Sequence, residues 1–290
     1  MKRILYIHHG GTLGGAPISL LFLLRQLDRS CYEPIVLCLA DGPVVEHFRA
    51  AAVDTHVATD ISDFSHTELV WYGNTLLWQL PGKALRFLPS VAAVRRYLQR
   101  FQPDLVHLNS STLAAAAQAV YREGTPIVWH IREPLAHGYF GIRRRWLRRR
   151  IACHAMRVVA ISEYDAAQLL PSDRIRVISN FVDFDTFDRG IDSDAARAHF
   201  SLTPAQRVVT MLGGCSAPKG TLPFVRSLSM VRDKIPNVRF LVAGPKPRVG
   251  ASELLPALLK RLARVDAYDR DVMSASGPAM ASGKLRFLGT

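Results

Sequence analysis

Short apolar runs alternate with longer amphipathic segments along the first half of the chain. The short runs, of which Glu33–Leu39 is typical, are apolar nearly throughout, as are strands buried on both faces of a parallel sheet. The longer segments carry their apolar residues on one stripe, which predicts helices packed on that sheet. The predicted strands are Arg3–His8, Glu33–Leu39, Thr55–Val57, Asp104–Leu108, Pro126–Ile131, Arg157–Ser162 and Arg174–Ser179. The predicted helices are Pro17–Leu27, Pro43–Ala52, Ser90–Phe101, Thr112–Glu123, Gly141–Met156 and Glu163–Leu169, and an irregular stretch holds Trp71, Tyr72 and Trp78.

A polar connector with five acidic residues, Asn180–Asp194, interrupts this alternation. We place a domain boundary there, with an N-terminal domain over residues 1–185 and a second domain over 186–290. The same alternation restarts after the connector, so the sequence predicts an α/β protein with two Rossmann-like domains. Its predicted strands are Arg207–Leu212, Val238–Gly244 and Lys284–Gly289, and its predicted helices are Thr221–Lys234 and Leu254–Val265, the latter followed by an Ala/Ser/Gly-rich stretch.

Three parallel strands with the last one at the end of the sequence leave an apolar edge and face exposed. We therefore expect the second domain to be incomplete. The chain is then either a truncated product, or its second domain is completed by another chain or by an unusual packing.

Charge is the most informative feature of the composition, because 37 Lys and Arg against 24 Asp and Glu give a formal net charge of +13. Such an excess favours anionic partners, which include phosphates, nucleic acid and acidic membrane surfaces. No apolar run approaches the roughly 20 residues of a membrane-spanning helix. The first apolar run is too short for a signal peptide, and the four cysteines form no CxxC pair, so we expect a cytoplasmic protein without a zinc cluster.

The loop after the first strand holds four glycines, Gly10, Gly11, Gly14 and Gly15. Glycines at the carboxyl end of a strand let backbone amides approach a phosphate or an oxygen-rich ligand, although they also suit a tight turn. The GxGxxG fingerprint of dinucleotide-binding proteins is not matched, because Thr12 takes its third position.

A second glycine-rich turn, "LGGCSAPKG", follows the first strand of the second domain. Lys219 stands just before the next helix, a position from which its ammonium group is expected to contact a phosphate. The amides around Gly213 and Gly214 are expected as further donors. The alternative is an exposed lysine at a helix start. The spacing is not that of a P-loop.

Six stretches in order resemble the motifs of GT-B fold glycosyltransferases, in particular the retaining family 4 that uses nucleotide-sugars. "GGAPISLLFLLRQL" resembles the opening loop and helix of that family, and "PDLVHLNSS" resembles its strand with a polar turn. "PIVWHIREP" is similar to its strand ending in a cleft histidine, and "RVVAISEYDAAQL" to its next strand and helix. "RIRVISNFVDFDTF" resembles its interdomain segment, and "VVTMLGGCSAPKG" its diphosphate-binding turn.

The resemblance implies transfer of a glycosyl unit from a nucleotide-sugar to a lipid-linked or saccharide acceptor, with retention and without a metal or other cofactor. The donor is expected between the domains, with its diphosphate near Lys219 and the glycines of both loops. By match to the family, His130 would hydrogen-bond the donor sugar, although a histidine at a strand end is often structural. Arg132 and Glu133 follow on the same loop as secondary candidates. The donor-binding glycines implied are Gly14, Gly15, Gly213 and Gly214.

Three departures from the family pattern affect these expectations. Gly214 stands where an arginine is usual, and Phe181 stands where a glycine is usual. The paired glutamates that hold the ribose and sugar hydroxyls should follow the last strand, yet the sequence ends at Thr290. We therefore expect weak or no activity from these residues alone.

An arginine-rich segment, "GIRRRWLRRR", carries six arginines around Trp146 and Leu147. A basic interfacial helix facing anionic lipid, or a site for a lipid-diphosphate acceptor, fits a membrane-peripheral sugar transferase. A solvated helix face is the alternative, and nucleic-acid binding is disfavoured because no recognised reading module surrounds the cluster. The arginines are Arg143, Arg144, Arg145, Arg148, Arg149 and Arg150.

We therefore predict a glycosyltransferase of envelope or exopolysaccharide biosynthesis on the inner face of the plasma membrane. One alternative is a nucleotide-dependent oxidoreductase or epimerase. The other is an inactive remnant of a glycosyltransferase.

Overall fold

The computed structural model describes residues 1–64, 79–135, 141–184, 187–188, 190, 192–247 and 265–289. The stretch with Trp71, Tyr72 and Trp78 and residues 254–264 of a predicted helix lie outside this part of the chain. The chain divides into two compact units, Met1–Phe187 (unit 1) and Asp188–Thr290 (unit 2).

Unit 1 contains, in its described part, a seven-stranded parallel sheet in the order β3-β2-β1-β4-β5-β6-β7. The order reverses between β1 and β4, which is the switch point where open α/β sheets bind their ligands. The strands are β1 (Lys2–His8), β2 (Tyr32–Cys38), β3 (Asp54–Val57), β4 (Leu105–Leu108), β5 (Ile127–Ile131), β6 (Arg157–Ala160) and β7 (Ile175–Val177). The helices are α1 (Gly15–Arg25), α2 (Pro43–Ala50), α3 (Gln79–Phe101), α4 (Ala114–Arg122), α5 (Ile142–His154) and α6 (Glu163–Ala167).

Both faces of this sheet are buried, as the apolar runs predict. Ile4 and Tyr6 of β1 pack in a cluster with side chains of α1 and α2, while Leu5 and Ile7 pack on the other face with α3, α4 and α5. This alternation follows from the two-residue period of a strand. Trp129 of β5 is fully buried and donates its indole N–H to the Ser110 carbonyl at 2.8 Å. This hydrogen bond joins β5 to the loop that follows β4.

Unit 2 contains a three-stranded parallel sheet in the order β10-β9-β8 among its described residues. The strands are β8 (Arg207–Leu212), β9 (Val238–Ala243) and β10 (Leu285–Gly289), and the helices are α7 (Ser193–His199), α8 (Thr221–Lys234) and α9 (Val265–Ala281). The central strand β9 is mostly buried, whereas the edge strand β8 is largely exposed, with Leu212 at 75%. The three predicted parallel strands are confirmed.

Three helical segments differ from the sequence prediction. Helix α3 begins at Gln79 rather than Ser90 and contains Pro89, and its first half exposes Leu85 and Leu88. No apolar stripe marks that half, so periodicity did not find it. Helix α7 buries no residue, and α9 occupies the Ala/Ser/Gly-rich stretch, to which the sequence prediction assigned no helix. In α9 small side chains beside Val272 face the core of unit 2, where packing outweighs their weak helix signal.

Candidate functional site

A buried polar cluster lies at the carboxyl ends of β1, β4 and β5. The Asn109 side-chain amide donates to His8 Nδ1 at 3.1 Å, which places the proton of the neutral ring on Nε2. Arg132 donates from Nε to Asn109 Oδ1 at 2.6 Å and from a terminal nitrogen to Ser19 Oγ at 2.8 Å. Hydrogen bonds therefore connect the ends of three strands to the first turns of α1.

His130, the predicted sugar-binding histidine, belongs to this cluster and is 9% exposed. Neither of its ring nitrogens has a hydrogen-bond partner within the described part of the chain. Burial lowers the pKa of His130 to about 2, and the positive charge of Arg132 lowers it further. The His107 ring lies 5.5 Å away, centroid to centroid, and burial lowers its pKa to about 3. Both imidazoles are neutral at pH 7, so His130 offers one donor and one acceptor.

The secondary candidates Arg132 and Glu133 flank the same strand end. Burial lowers the pKa of Arg132 to about 10, and the nearby Glu133 charge partly opposes this, so the guanidinium is charged at pH 7. Glu133 Oε1 accepts hydrogen bonds from Ser110 Oγ at 2.5 Å, Ser111 Oγ at 2.7 Å and Ser111 N at 2.9 Å. This carboxylate is therefore held on the loop after β4.

The glycines of the first loop divide into two groups. A Cβ on Gly11 would lie 2.1 Å from the Asp41 carbonyl oxygen, so Gly11 permits close packing of two loops. A Cβ on Gly14 or Gly15 would meet nothing within 4 Å. Because Gly14 has an extended φ of −169° that any residue adopts, neither packing nor backbone strain requires glycine at 14 or 15. The open space beside them is accessible to a ligand.

A cavity of about 500 Å³ lies beside the cluster in unit 1. It is at the carboxyl ends of β1, β2 and β3, and its lining is partly polar. Its residues include His9, Leu39, Thr59, Ser62, Asp63 and Arg86. The cavity has the size and polarity of a small-ligand site.

In unit 2, Gly213 and Gly214 let the turn after β8 approach the turn after β9. Their φ angles are +120° and +65°, and a Cβ on Gly214 would lie 2.4 Å from Pro245 N. Both amides donate to the Ala243 carbonyl, at 2.9 and 2.8 Å. These two N–H groups are therefore already engaged, and a phosphate bound here would depend chiefly on Lys219.

Lys219 is exposed at the end of a short 3-10 turn, Ala217–Lys219, just before α8. Its Cγ and Cδ pack on Gly213, and its ammonium group forms no ion pair with any residue described by the structure. The first turn of α8 holds no acidic residue. The hydroxyl of Tyr268, from α9, accepts from Leu222 N at 2.9 Å and so caps this helix. The positive end of α8 and Lys219 therefore face the same carboxyl edge.

The six arginines of α5 have different environments. Arg145 and Arg149 are exposed, as is Ile142, whereas Arg143, Arg144, Arg148 and Arg150 are half-buried. Arg148 donates to the Leu169 carbonyl at 2.9 Å, and Arg150 bonds Gln118 and lies over the Trp146 ring. Arg148 and Arg150 therefore have a structural role, whereas Arg145 and Arg149 remain exposed to a partner.

Sequence reasoning did not assign Ser19, Asn109, Ser110, Ser111 or Tyr268 to a site. Four polar residues directly after β4, "NSST", were the available signal for three of them. Ser19 and Tyr268 carry no local signal, because tertiary packing alone brings them to the strand ends.

The residues that the structure describes contain no group of three or more His, Cys, Asp or Glu side chains able to hold a metal ion. None of the described helices has the length and apolar character needed to cross a membrane.

A family model, Glycosyltransferase Family 4, matches residues 13–186. This match spans more than half of the chain, and the chain belongs to Glycosyltransferase Family 4. No curated protein matches the sequence significantly.

Solved structures share the fold at low sequence identity. HepE from Anabaena, crystallised with UDP and glucose, is 18% identical in sequence and superposes with a TM-score of 0.70. The match covers 100% of this chain and 69% of the HepE chain. A glycosyltransferase from Rickettsia africae is 16% identical with a TM-score of 0.68, covering 100% and 68%. A UDP-GlcNAc 2-epimerase from Neisseria meningitidis is 13% identical with a TM-score of 0.54, covering 99% and 72%. The predicted α/β fold of GT-B type is confirmed, and the epimerase shows that this fold alone does not define the reaction.

Proposed function

We propose that the chain transfers a glycosyl unit from a nucleotide-sugar to a lipid-linked or saccharide acceptor with retention of configuration. Residues 1–185 would bind the acceptor and residues 186–290 the nucleotide-sugar. Membership of a glycosyltransferase family supports the reaction class. The structural likeness to HepE, which was crystallised with UDP-glucose, supports a nucleotide-sugar as the donor.

The observation that carries the proposal is the unsatisfied ring of His130. A buried polar atom without a partner costs about 1–3 kcal/mol, so a ligand that hydrogen-bonds to a ring nitrogen of His130 is favoured. A sugar hydroxyl both donates and accepts, and can therefore bond to either nitrogen of a neutral imidazole. We assign His130 to hydrogen bonding with the transferred sugar.

Lys219 supplies the positive charge for the diphosphate. An ammonium group without an acidic partner, beside the positive end of α8, stabilises the negative charge that develops as the glycosyl–phosphate bond breaks. In the proposed step the acceptor oxygen bonds to the anomeric carbon while the leaving diphosphate takes the acceptor's proton. This step needs no side-chain base and no metal or other cofactor.

Attachment to an anionic membrane on its cytoplasmic face, for envelope or exopolysaccharide synthesis, completes the proposal. Arg145 and Arg149 lie four residues apart on α5, so they share one helix face, and Ile142 nearby is 67% exposed. Exposed arginines beside an apolar side chain suit an interfacial helix on anionic lipid.

Release of nucleoside diphosphate from a panel of nucleotide-sugars tests the reaction, with product analysis to separate transfer from epimerisation. We expect one donor to be consumed, and His130→Phe to slow its consumption roughly 10–100-fold through the lost hydrogen bond. His47→Phe, at an exposed position on α2, is the matched control. Equal rates in wild type and His130→Phe would remove His130 from the site. An epimerised nucleotide-sugar as product would favour epimerase activity, and binding without consumption would identify an inactive remnant.

A further inference from the structure

A groove with a volume of about 430 Å³ lies between helices α8 and α9 of unit 2. On α8, the buried residues Val225 and Leu228 are three positions apart, so they share the face that lines the groove. The lining side chains of α9 are small, which leaves space between the two helices where cores are normally filled. The apolar lining residues are Val225, Leu228, Phe240, Ala275, Pro278 and Ala279.

This groove is separate from the turn that holds Lys219. Lys219 stands before the first turn of α8, whereas Arg232, which lines the groove, belongs to the last turn of that helix. Lys284, also in the lining, directly precedes β10, and its ammonium group donates to the Pro236 carbonyl before β9 at 2.8 Å. The groove therefore reaches the amino ends of the strands, the edge of the sheet opposite to Lys219.

Three cationic side chains line the groove, and none of its described lining residues is acidic. Arg226 is exposed and forms no hydrogen bond or ion pair with any residue that the structure describes. Arg232 pairs with Asp233 at 3.1 Å, and Lys284 donates to one carbonyl, so both cations keep further N–H donors. The groove therefore combines apolar walls with unneutralised positive charge.

These features favour a small anionic amphiphile over a second copy of the chain. Two copies that met at this groove would bring their cationic side chains together, in a chain whose net charge is already +13. The volume is that of a small-molecule site. An alkyl chain matches the apolar walls, and a guanidinium group is a strong partner for a carboxylate.

We propose that the groove binds a fatty acid, with the alkyl chain between α8 and α9 and the carboxylate on Arg226. None of the lining residues is assigned to sugar transfer. The inference therefore goes beyond the proposed function and does not depend on it.

Calorimetry of the full chain with octanoate, decanoate and dodecanoate tests the proposal, at physiological ionic strength and below micelle formation. We expect saturable one-to-one binding that strengthens roughly two- to fourfold with each added methylene group. Decyltrimethylammonium has the same alkyl chain as decanoate with a cationic headgroup, and it should bind at least about tenfold more weakly than decanoate. Absence of saturable binding of the carboxylates, or equal affinity for the cationic amphiphile, would overturn the inference.

Variants locate the binding in the groove. Ala275→Leu places a larger side chain within it and should weaken decanoate binding at least about tenfold. Arg226→Gln, at an exposed position, should weaken it roughly three- to tenfold and serves if the leucine variant does not fold. Lys234→Gln, at the end of α8 and outside the described lining, is the matched control and should bind as wild type does.

Equal decanoate affinities in wild type, Ala275→Leu and Arg226→Gln would overturn the inference. So would a dimer in sedimentation velocity that Ala275→Leu dissociates, because a second copy would then cover the groove. Fatty-acid binding requires no nucleotide-sugar, so the result is independent of whether sugar transfer occurs.

Discussion

At the scale of single residues, the carboxyl ends of the unit 1 strands combine neutral histidines with one charged arginine. Burial lowers the pKa values of His8 and His107 to about 3 and that of His130 to about 2. Water-exposed imidazoles would be partly charged near pH 6.5. The cluster therefore offers hydrogen bonds to a ligand while its charge comes from Arg132.

These buried histidines make the stability of unit 1 depend on pH. Each folded-state pKa lies below the unfolded value of 6.5, so the unfolded chain binds more protons below pH 6.5. Stability is full above pH 6.5 and falls as the pH drops toward 3. Between pH 6.5 and 5 one such histidine costs about 2 kcal/mol. We expect His107→Phe to reduce the pH dependence of the unfolding free energy by this amount in urea titrations. The control His47→Phe should leave the pH dependence of the unfolding free energy unchanged. An equal pH dependence in the two variants would contradict the conclusion that buried His107 causes it.

Gly214 and Gly15 are expected to differ in how much an added methyl group destabilises the fold. Gly214→Ala forces a side chain into a left-handed conformation against Pro245, so we expect a loss of about 2 kcal/mol or more. Gly15→Ala places a methyl group in open space at a helix start and should change stability by less than about 0.5 kcal/mol. Chemical unfolding of both variants measures the difference. Similar losses of unfolding free energy in the two variants would contradict the conclusion that glycine is required at position 214 and not at position 15.

At the scale of elements, the hydrophobic pattern predicted every strand of the described sheets, because each is a short run rich in apolar residues, as parallel strands are. Helices with an apolar stripe, such as α2 and α8, were predicted closely. The pattern failed where no stripe exists. Helix α7 buries nothing, and α9 packs small residues whose composition resembles a loop.

Helix α9 also stabilises the turn that holds Lys219. The Tyr268 hydroxyl accepts from Leu222 N and donates to the Ser216 carbonyl at 3.2 Å, so it replaces a conventional side-chain cap on α8. We expect Tyr268→Phe to destabilise unit 2 by about 1 kcal/mol and to weaken nucleoside diphosphate binding. Tyr164→Phe, on an exposed face of α6, is the control for thermal unfolding and calorimetry. Unchanged stability in Tyr268→Phe would mean that its hydroxyl does not cap α8.

At the scale of the whole molecule, the predictable part of the site is the part that is continuous in sequence. In unit 1, His130 lies near the end of β5 and Arg132 and Glu133 follow that strand, and in unit 2 Lys219 follows β8, so ordered motifs point to them. The contacts among Ser19, Asn109 and Arg132 join positions far apart in the chain. They depend on the strand order around β1 and β4, which neither periodicity nor local motifs specify.

The net charge of +13 acts on the whole chain and strengthens the attraction of any anionic substrate. Nonspecific attraction weakens with added salt, because exposed charges are screened over about 8 Å at physiological ionic strength. Binding experiments at that ionic strength therefore separate the proposed sites from general electrostatic attraction.

The most direct measurement is calorimetry of nucleoside diphosphate binding to the full chain at physiological ionic strength. We predict saturable one-to-one binding that Lys219→Met weakens roughly 10–100-fold, the effect of losing one charge-assisted contact. Lys234→Met, at the opposite end of α8, should bind as wild type does. Absence of binding across a panel of uridine, guanosine, adenosine and cytidine diphosphates, or equal weakening by both substitutions, would contradict the account.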